Sequence, residues 1–166
     1  SVKDKLVIYG TSKEEKPLIG YLAYPTNKTE STPALLVIHE WWGLNDHIKS
    51  ITRRLAGEGY IALAVDLYEG SVADTPERAK ELVTVANEST PQLNENIKQA
   101  YSYLETEQKA SKIGSIGWCF GGTWSLNTAL LFPDQLDATV IYYGGGITTN
   151  PEQLKTLEMP ILGIFG

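Results

Sequence analysis

The chain has 166 residues, enough for one domain with a real core and short for two. Its 42% hydrophobic and 20% charged residues exclude a disordered chain, and no apolar run approaches the ~18 residues needed to span a bilayer. A net charge of −6 with no Lys/Arg cluster denser than Arg53-Arg54 argues against nucleic acid as a partner, and a single cysteine excludes an internal disulfide.

Ser1 to Lys5 is polar and carries no signal-peptide apolar core, so a cytoplasmic location is expected, or a periplasmic or secreted one if a signal preceded Ser1. Residues 5–10 and 18–24 read as two strands joined by a charged turn, an antiparallel entry to a sheet. Residues 33–39 form a short apolar run suited to a strand buried on both faces. Asp46 is placed to cap a helix running to about Ala56, which Gly57 and Gly59 stop. Tyr60 to Asp66 is another buried strand. Thr75-Pro76 opens a helix to about Ala86, and Thr90-Pro91 a longer one to about Glu107. Then come a strand over 113–117, a helix over 119–132, a strand over 138–143, a short helix over 151–157 and a last strand over 160–165.

Strands alternate with helices from residue 33 onward, which implies one α/β domain: a mainly parallel sheet with helices on both faces. Ligands in such sheets bind beyond the carboxyl ends of the strands. Four segments fall there: His39-Glu40-Trp41-Trp42, Asp66-Leu67-Tyr68, Trp118-Cys119-Phe120 and Gly144-Gly145-Gly146.

The third segment has the form of a nucleophile elbow, a strand, a sharp turn and a helix that lift one side chain above the sheet. Gly117 and Gly121 supply the small residues that the turn needs two before and two after Cys119, and Gly122 lets the helix approach the strand. The commonest version of the motif carries serine; a thiol is easier to ionise, and the helix that follows points its positive end at the thiolate. The competing reading is a structural cysteine buried in a glycine-rich turn. A dinucleotide site does not fit, because the spacing is not GxGxxG and the motif does not follow the first strand of the parallel unit.

The segments His39-Glu40-Trp41-Trp42-Gly43-Leu44-Asn45, Val65-Asp66-Leu67-Tyr68, Gly117-Trp118-Cys119-Phe120-Gly121-Gly122 and Ile141-Tyr142-Tyr143-Gly144 together resemble the dienelactone hydrolase family. The resemblance implies an α/β-hydrolase fold and a hydrolase of small carboxylic esters or lactones, working through an acyl-thiol on Cys119. It implies Glu40 as a participant in activating the thiol. It also implies an oxyanion hole from the backbone N–H groups of Trp41 and Phe120, which meet the negative oxygen of the tetrahedral intermediate. Arg78 is a candidate for holding a substrate carboxylate, and Trp42 and Trp118, with Trp41, for walling an apolar pocket. No metal and no cofactor is required, because side chains carry the acyl transfer. His39 ends a buried strand and reads better as a structural histidine, His47 as a surface residue at a helix start, and Asp66 as a residue that fixes loop backbone.

The α/β-hydrolase order is nucleophile, acid, histidine, yet both histidines here precede Cys119. The terminal run Met159 to Gly166 reads as the strand after which the family places its acid. Residues 1–166 are therefore expected to be the N-terminal portion of the domain, truncated at its C-terminus, with the acid and the histidine beyond Gly166. A catalytically silent relative that binds small carboxylates or a partner stays open as an alternative, as does a redox-sensing thiol. The elbow would also serve acyl transfer or thioester hydrolysis.

Overall fold

The computed structural model describes residues 1–165. A seven-stranded sheet runs through it in the order β1-β2-β4-β3-β5-β6-β7. β1 (Val2–Thr11) and β2 (Pro17–Pro25) form the expected antiparallel hairpin, with a register shift between Ile8 and Gly10. β2 runs antiparallel to β4 (Ile61–Ala64), and from β4 the sheet is parallel through β3 (Ala34–Ile38), β5 (Ile113–Trp118), β6 (Ala138–Tyr142) and β7 (Ile161–Ile164). The mainly parallel architecture is the one the alternating pattern implied. The expected terminal strand is β7; Gly166, the end of that run, lies outside the described residues.

Strand alternation sorts the core into two layers. Leu36, Ile38, Leu63 and Val65 face one side with α2 (Pro76–Asn87), α3 (Thr90–Thr106) and α4 (Phe120–Leu131). Val37, Ala62, Ala64 and Ile116 face the other, against Ile48 and Ala56 of α1 (Asp46–Gly57). Leu36, Ile38, Leu63 and Ile48 are each fully enclosed, and a side chain of this size stabilises the fold by roughly 1.5–3 kcal/mol when buried. At the far edge, β7 leaves Ile161, Leu162 and Ile164 exposed.

Several boundaries depart from expectation. The cap of α1 is Asn45, not Asp46: Asn45 is extended and its side-chain oxygen accepts the Ile48 N–H at 3.1 Å, while Asp46 is already helical and lies in the first turn. β4 ends at Ala64, because Asp66 and Leu67 turn their backbone groups to side chains of other elements. The short helix α5 covers only Pro151–Leu154.

α4 is seated under the sheet's carboxyl end by a buried hydroxyl cluster. Ser125 Oγ lies 2.8 Å from Ser115 Oγ on β5 and 2.9 Å from Thr139 Oγ1 on β6. All three side chains are buried, so their hydroxyls satisfy one another in place of water. This fixes the helix that directly follows the candidate nucleophile.

Candidate active site

β5 ends at Trp118 and α4 begins at Phe120, leaving one residue, Cys119, to make the reversal. Cys119 takes φ 57° and ψ −118°, a conformation that L side chains rarely adopt. Its backbone is held there from both sides. The Cys119 N–H donates to Tyr142 O at 2.9 Å, and its carbonyl accepts the N–H groups of Gly122 at 2.9 Å and Thr123 at 3.2 Å.

The glycines around it are steric necessities. A Cβ on Gly117 would lie 2.0 Å from Gly121 O, and one on Gly121 would lie 2.1 Å from Ile38 O. A Cβ on Gly122 would lie 2.6 Å from Tyr142 O. All three obstacles are backbone, which cannot swing away as a side chain can. The elbow read from the sequence is thus present in the fold, with its thiol partly exposed at the positive end of a 12-residue helix.

Cys119 opens onto a cleft of about 210 Å³ that Trp41, Phe120, Thr123, Trp124 and Gly145 also line, with Val83 and Asn87 of α2. Trp41 and Phe120 thus meet the thiol in one place. Among the described residues, neither the Trp41 N–H nor the Phe120 N–H donates to a protein acceptor. Two unpaired donors beside a raised thiol are what an oxyanion hole requires.

Two tyrosines mark the electrostatics of the site. The Tyr68 phenol is pushed up by burial and then by the charge of Cys119. The Tyr143 phenol is pushed up by burial, then by the charges of Glu40 and Cys119. Tyr143 therefore senses the charges of both the thiol and Glu40. Sequence reasoning gave neither tyrosine a role, although both sit just past the carboxyl end of a core strand. It also missed Trp124, whose position inside α4 gave no signal.

Other candidate residues are placed elsewhere. Trp118 points to the α1 side of the sheet, stacked on Tyr142 at 5.5 Å, because it shares the parity of Ile116 along β5. It lines a groove with Ile51, Leu55 and Tyr142, not the cysteine cleft. Trp42 packs edge-on against Trp41 at 5.4 Å and against the main core. Arg78 lines a separate cleft of about 420 Å³ with Tyr68, Glu69 and Leu82, and its guanidinium pairs with Glu81 at 3.0 Å. His47 is exposed on α1. Asp66 does fix loop backbone: its two carboxylate oxygens accept the N–H groups of Tyr68 at 3.0 Å and Gly70 at 2.8 Å.

Known proteins resemble the chain in sequence and fold. A model of the dienelactone hydrolase family matches residues 18–166. A protein of Aquifex pyrophilus, Protein usf, is 40% identical over 152 residues, covering 88% of this chain and 64% of that protein. A protein of Aquifex aeolicus (strain VF5) with the provisional name of carboxymethylenebutenolidase is 39% identical over 131 residues, covering 75% of this chain and 55% of that protein. The chain thus spans somewhat over half the length of these curated relatives. Among solved structures, one titled m3DLH superimposes with a TM-score of 0.86 at 27% identity, over 99% of this chain and 69% of that one. A dienelactone hydrolase-like promiscuous phosphotriesterase from metagenomic libraries gives the same TM-score at 25% identity, over 100% of this chain and 69% of that one.

Proposed function

This chain belongs to the dienelactone hydrolase family, and from that premise we propose that Cys119 is the nucleophile of a hydrolase of small carboxylic esters or lactones. One observation carries the reading: a partly exposed thiol on a strained backbone shares a cleft with two unpaired N–H donors.

In the proposed reaction the Cys119 thiolate attacks the ester carbonyl carbon. The carbonyl oxygen becomes an oxyanion and receives hydrogen bonds from the N–H groups of Trp41 and Phe120. The C–O bond to the leaving group breaks, the alkoxide departs with a proton, and the acyl group remains as a thioester. Water then attacks the thioester carbonyl and releases the acid and the thiol. Glu40, next in the chain to Trp41, takes part in activating the thiol. A carboxylate can accept the thiol proton, although its charge disfavours a thiolate close by.

Among the described residues no histidine faces Cys119: His47 is on the outer side of α1, and both ring nitrogens of His39 are occupied. The first half-reaction is therefore the part these residues equip. The test is to incubate the protein with p-nitrophenyl acetate and record intact mass together with nitrophenolate release. The reading expects one acetyl group on Cys119 and a burst of one equivalent, both absent in Cys119→Ala. A wild-type thiol that alkylates with iodoacetamide but never acylates would leave a ligand-binding or redox role for the elbow instead.

A further inference from the structure

Resting on that reading, we infer that His39 is a positioning residue for acyl transfer: its neutral imidazole locks the Glu40–Trp41 peptide so that the Trp41 N–H stays in the oxyanion hole.

The two ring nitrogens of His39 face partners of opposite character. Leu67 N–H can only donate, and it points at Nε2 across 3.1 Å. Glu40 O can only accept, and it lies 2.7 Å from Nδ1. One protonation state satisfies both: Nδ1 carries the hydrogen and Nε2 offers its lone pair. The ring is fully enclosed, so no water can substitute for either partner. A doubly protonated ring would set an N–H against the Leu67 N–H.

The second step is the peptide itself. The Glu40 carbonyl and the Trp41 N–H belong to one planar group, and in a trans peptide they point in opposite directions. Holding the carbonyl therefore aims the N–H. The Glu40 carbonyl is held twice, by His39 Nδ1–H and by Gly43 N–H at 3.1 Å. The Trp41 N–H is left without a protein acceptor among the described residues, and Trp41 lines the same cleft as Cys119. Donation from His39 to the carbonyl also draws electron density from the amide and makes its N–H a better donor.

The third step is the other face of the ring. His39 stacks on Phe120, centroids 5.8 Å apart and planes 18° apart, and leans against Tyr68 at 4.7 Å. Phe120 bears the second oxyanion donor. One buried side chain therefore packs on Phe120 and holds the carbonyl of the peptide that bears the Trp41 N–H, and Leu67 ties it to the loop after β4. A residue needed only to fill the core would not require a polar ring here.

The test separates the donor from the bulk. His39→Asn keeps a donor near the Nδ1 position and loses the Nε2 acceptor. His39→Gln keeps polarity near Nε2 and loses the Nδ1 donor. His39→Leu loses both. Two rates are measured on each: acylation of Cys119 by p-nitrophenyl acetate, which passes through an oxyanion, and alkylation by iodoacetamide, which does not. Losing a whole oxyanion donor costs about 100- to 1,000-fold. A misaimed one is expected to lower acylation by about 10- to 100-fold in His39→Leu and His39→Gln, with alkylation within about 2-fold of wild type. His39→Asn is expected to recover most of the lost acylation. Acylation equal to wild type in all three variants, or acylation and alkylation falling together, overturns the inference. Failure of the wild type itself to acylate is a separate outcome; it sinks the proposed function and the inference with it. Should no variant fold, the wild-type ring decides: nitrogen NMR showing the hydrogen on Nδ1 at neutral pH agrees with the lock, and a hydrogen on Nε2 overturns it.

Discussion

The Tyr68 hydroxyl donates to the carbonyl oxygen of Trp41 at 2.9 Å. This bond fixes the peptide that follows Trp41, while the Glu40 carbonyl is fixed on the other side, so the residue carrying one oxyanion donor is clamped at both ends. Tyr68 is itself placed by Asp66, whose carboxylate accepts the Tyr68 N–H. The Asp66 backbone is in turn held by the buried Tyr9 and Asn96. Asp66 N–H donates to Tyr9 OH at 3.1 Å, and Asn96 Nδ2 donates to Asp66 O at 2.9 Å. A network reaching from β1 and α3 thus ends at the cleft.

Tyr68→Phe removes one end of that clamp and little volume. Stability should fall by about 1 kcal/mol, the usual worth of one such bond. Acylation of Cys119 should slow by about 3- to 10-fold, on the order of the same 1 kcal/mol applied to the barrier. Urea unfolding and the nitrophenolate burst measure the two; a burst unchanged in rate would show that the clamp on the Trp41 carbonyl has no part in the chemistry.

Cys119 holds a positive φ that glycine adopts freely. Such strain costs on the order of 1–3 kcal/mol. Cys119→Gly should therefore lose all acylation yet match or exceed the wild type in stability, by up to about 1 kcal/mol after the added chain entropy of glycine. Cys119→Ala should show no such gain. If both variants unfold at the same denaturant concentration, the elbow stores no usable strain.

Gly145 lines the cleft and Gly121 belongs to the elbow, and the two differ in surroundings. A Cβ at Gly121 meets Ile38 O at 2.1 Å, whereas one at Gly145 meets nothing within 4 Å. Gly121→Ala should destabilise by more than about 3 kcal/mol, because backbone must move. Gly145→Ala should stay within about 0.5 kcal/mol. Thermal unfolding of the pair checks the contrast, and comparable losses would contradict it.

Burial pushes the His39 imidazole down from 6.5 to about 4. The unfolded chain therefore binds this proton first as pH falls. The resulting stability is fully present above about pH 6.5 and is lost as pH drops toward 4, by an amount on the order of 3 kcal/mol. Asp66 acts in the opposite direction, since burial pushes its carboxyl up and protonation at low pH then favours the folded state. Comparing wild type with His39→Asn isolates the histidine: the stability gap between them should narrow as pH falls through that window. Parallel curves would mean that His39 does not titrate as a buried neutral ring.

Much of the fold was legible because the signals are local. Apolar runs at 33–39 and 60–66 can be satisfied only as buried strands, and β3 and β4 lie within them. The elbow was legible for the same reason. Three glycines around a cysteine at a strand–helix junction leave few backbone conformations, and the contacts of Gly117, Gly121 and Gly122 give the steric cause. The cap of α1 was misplaced by one residue because Asn45 and Asp46 are both good caps, and the choice between them rests on backbone angles that composition does not encode.

By itself the sequence determined the layered α/β order, the hairpin at its edge, and the identity of the one residue lifted out of the sheet. These follow from periodicity and glycine placement, which act over a few residues. Only the tertiary structure decided which side chains share the cleft. Trp41, from the loop after β3, and Trp124, from α4, line it, while Trp118 turns to the α1 side because it shares the parity of Ile116 along β5. Arg78 stands in another cleft, because α2 presents Val83 and Asn87 to Cys119 instead. The tie between His39 and Leu67 spans 28 positions of chain, and that between Tyr9 and Asn96 spans 87. Bonds of that reach depend on how the parallel strands are ordered, a property of the whole sheet that no local pattern contains.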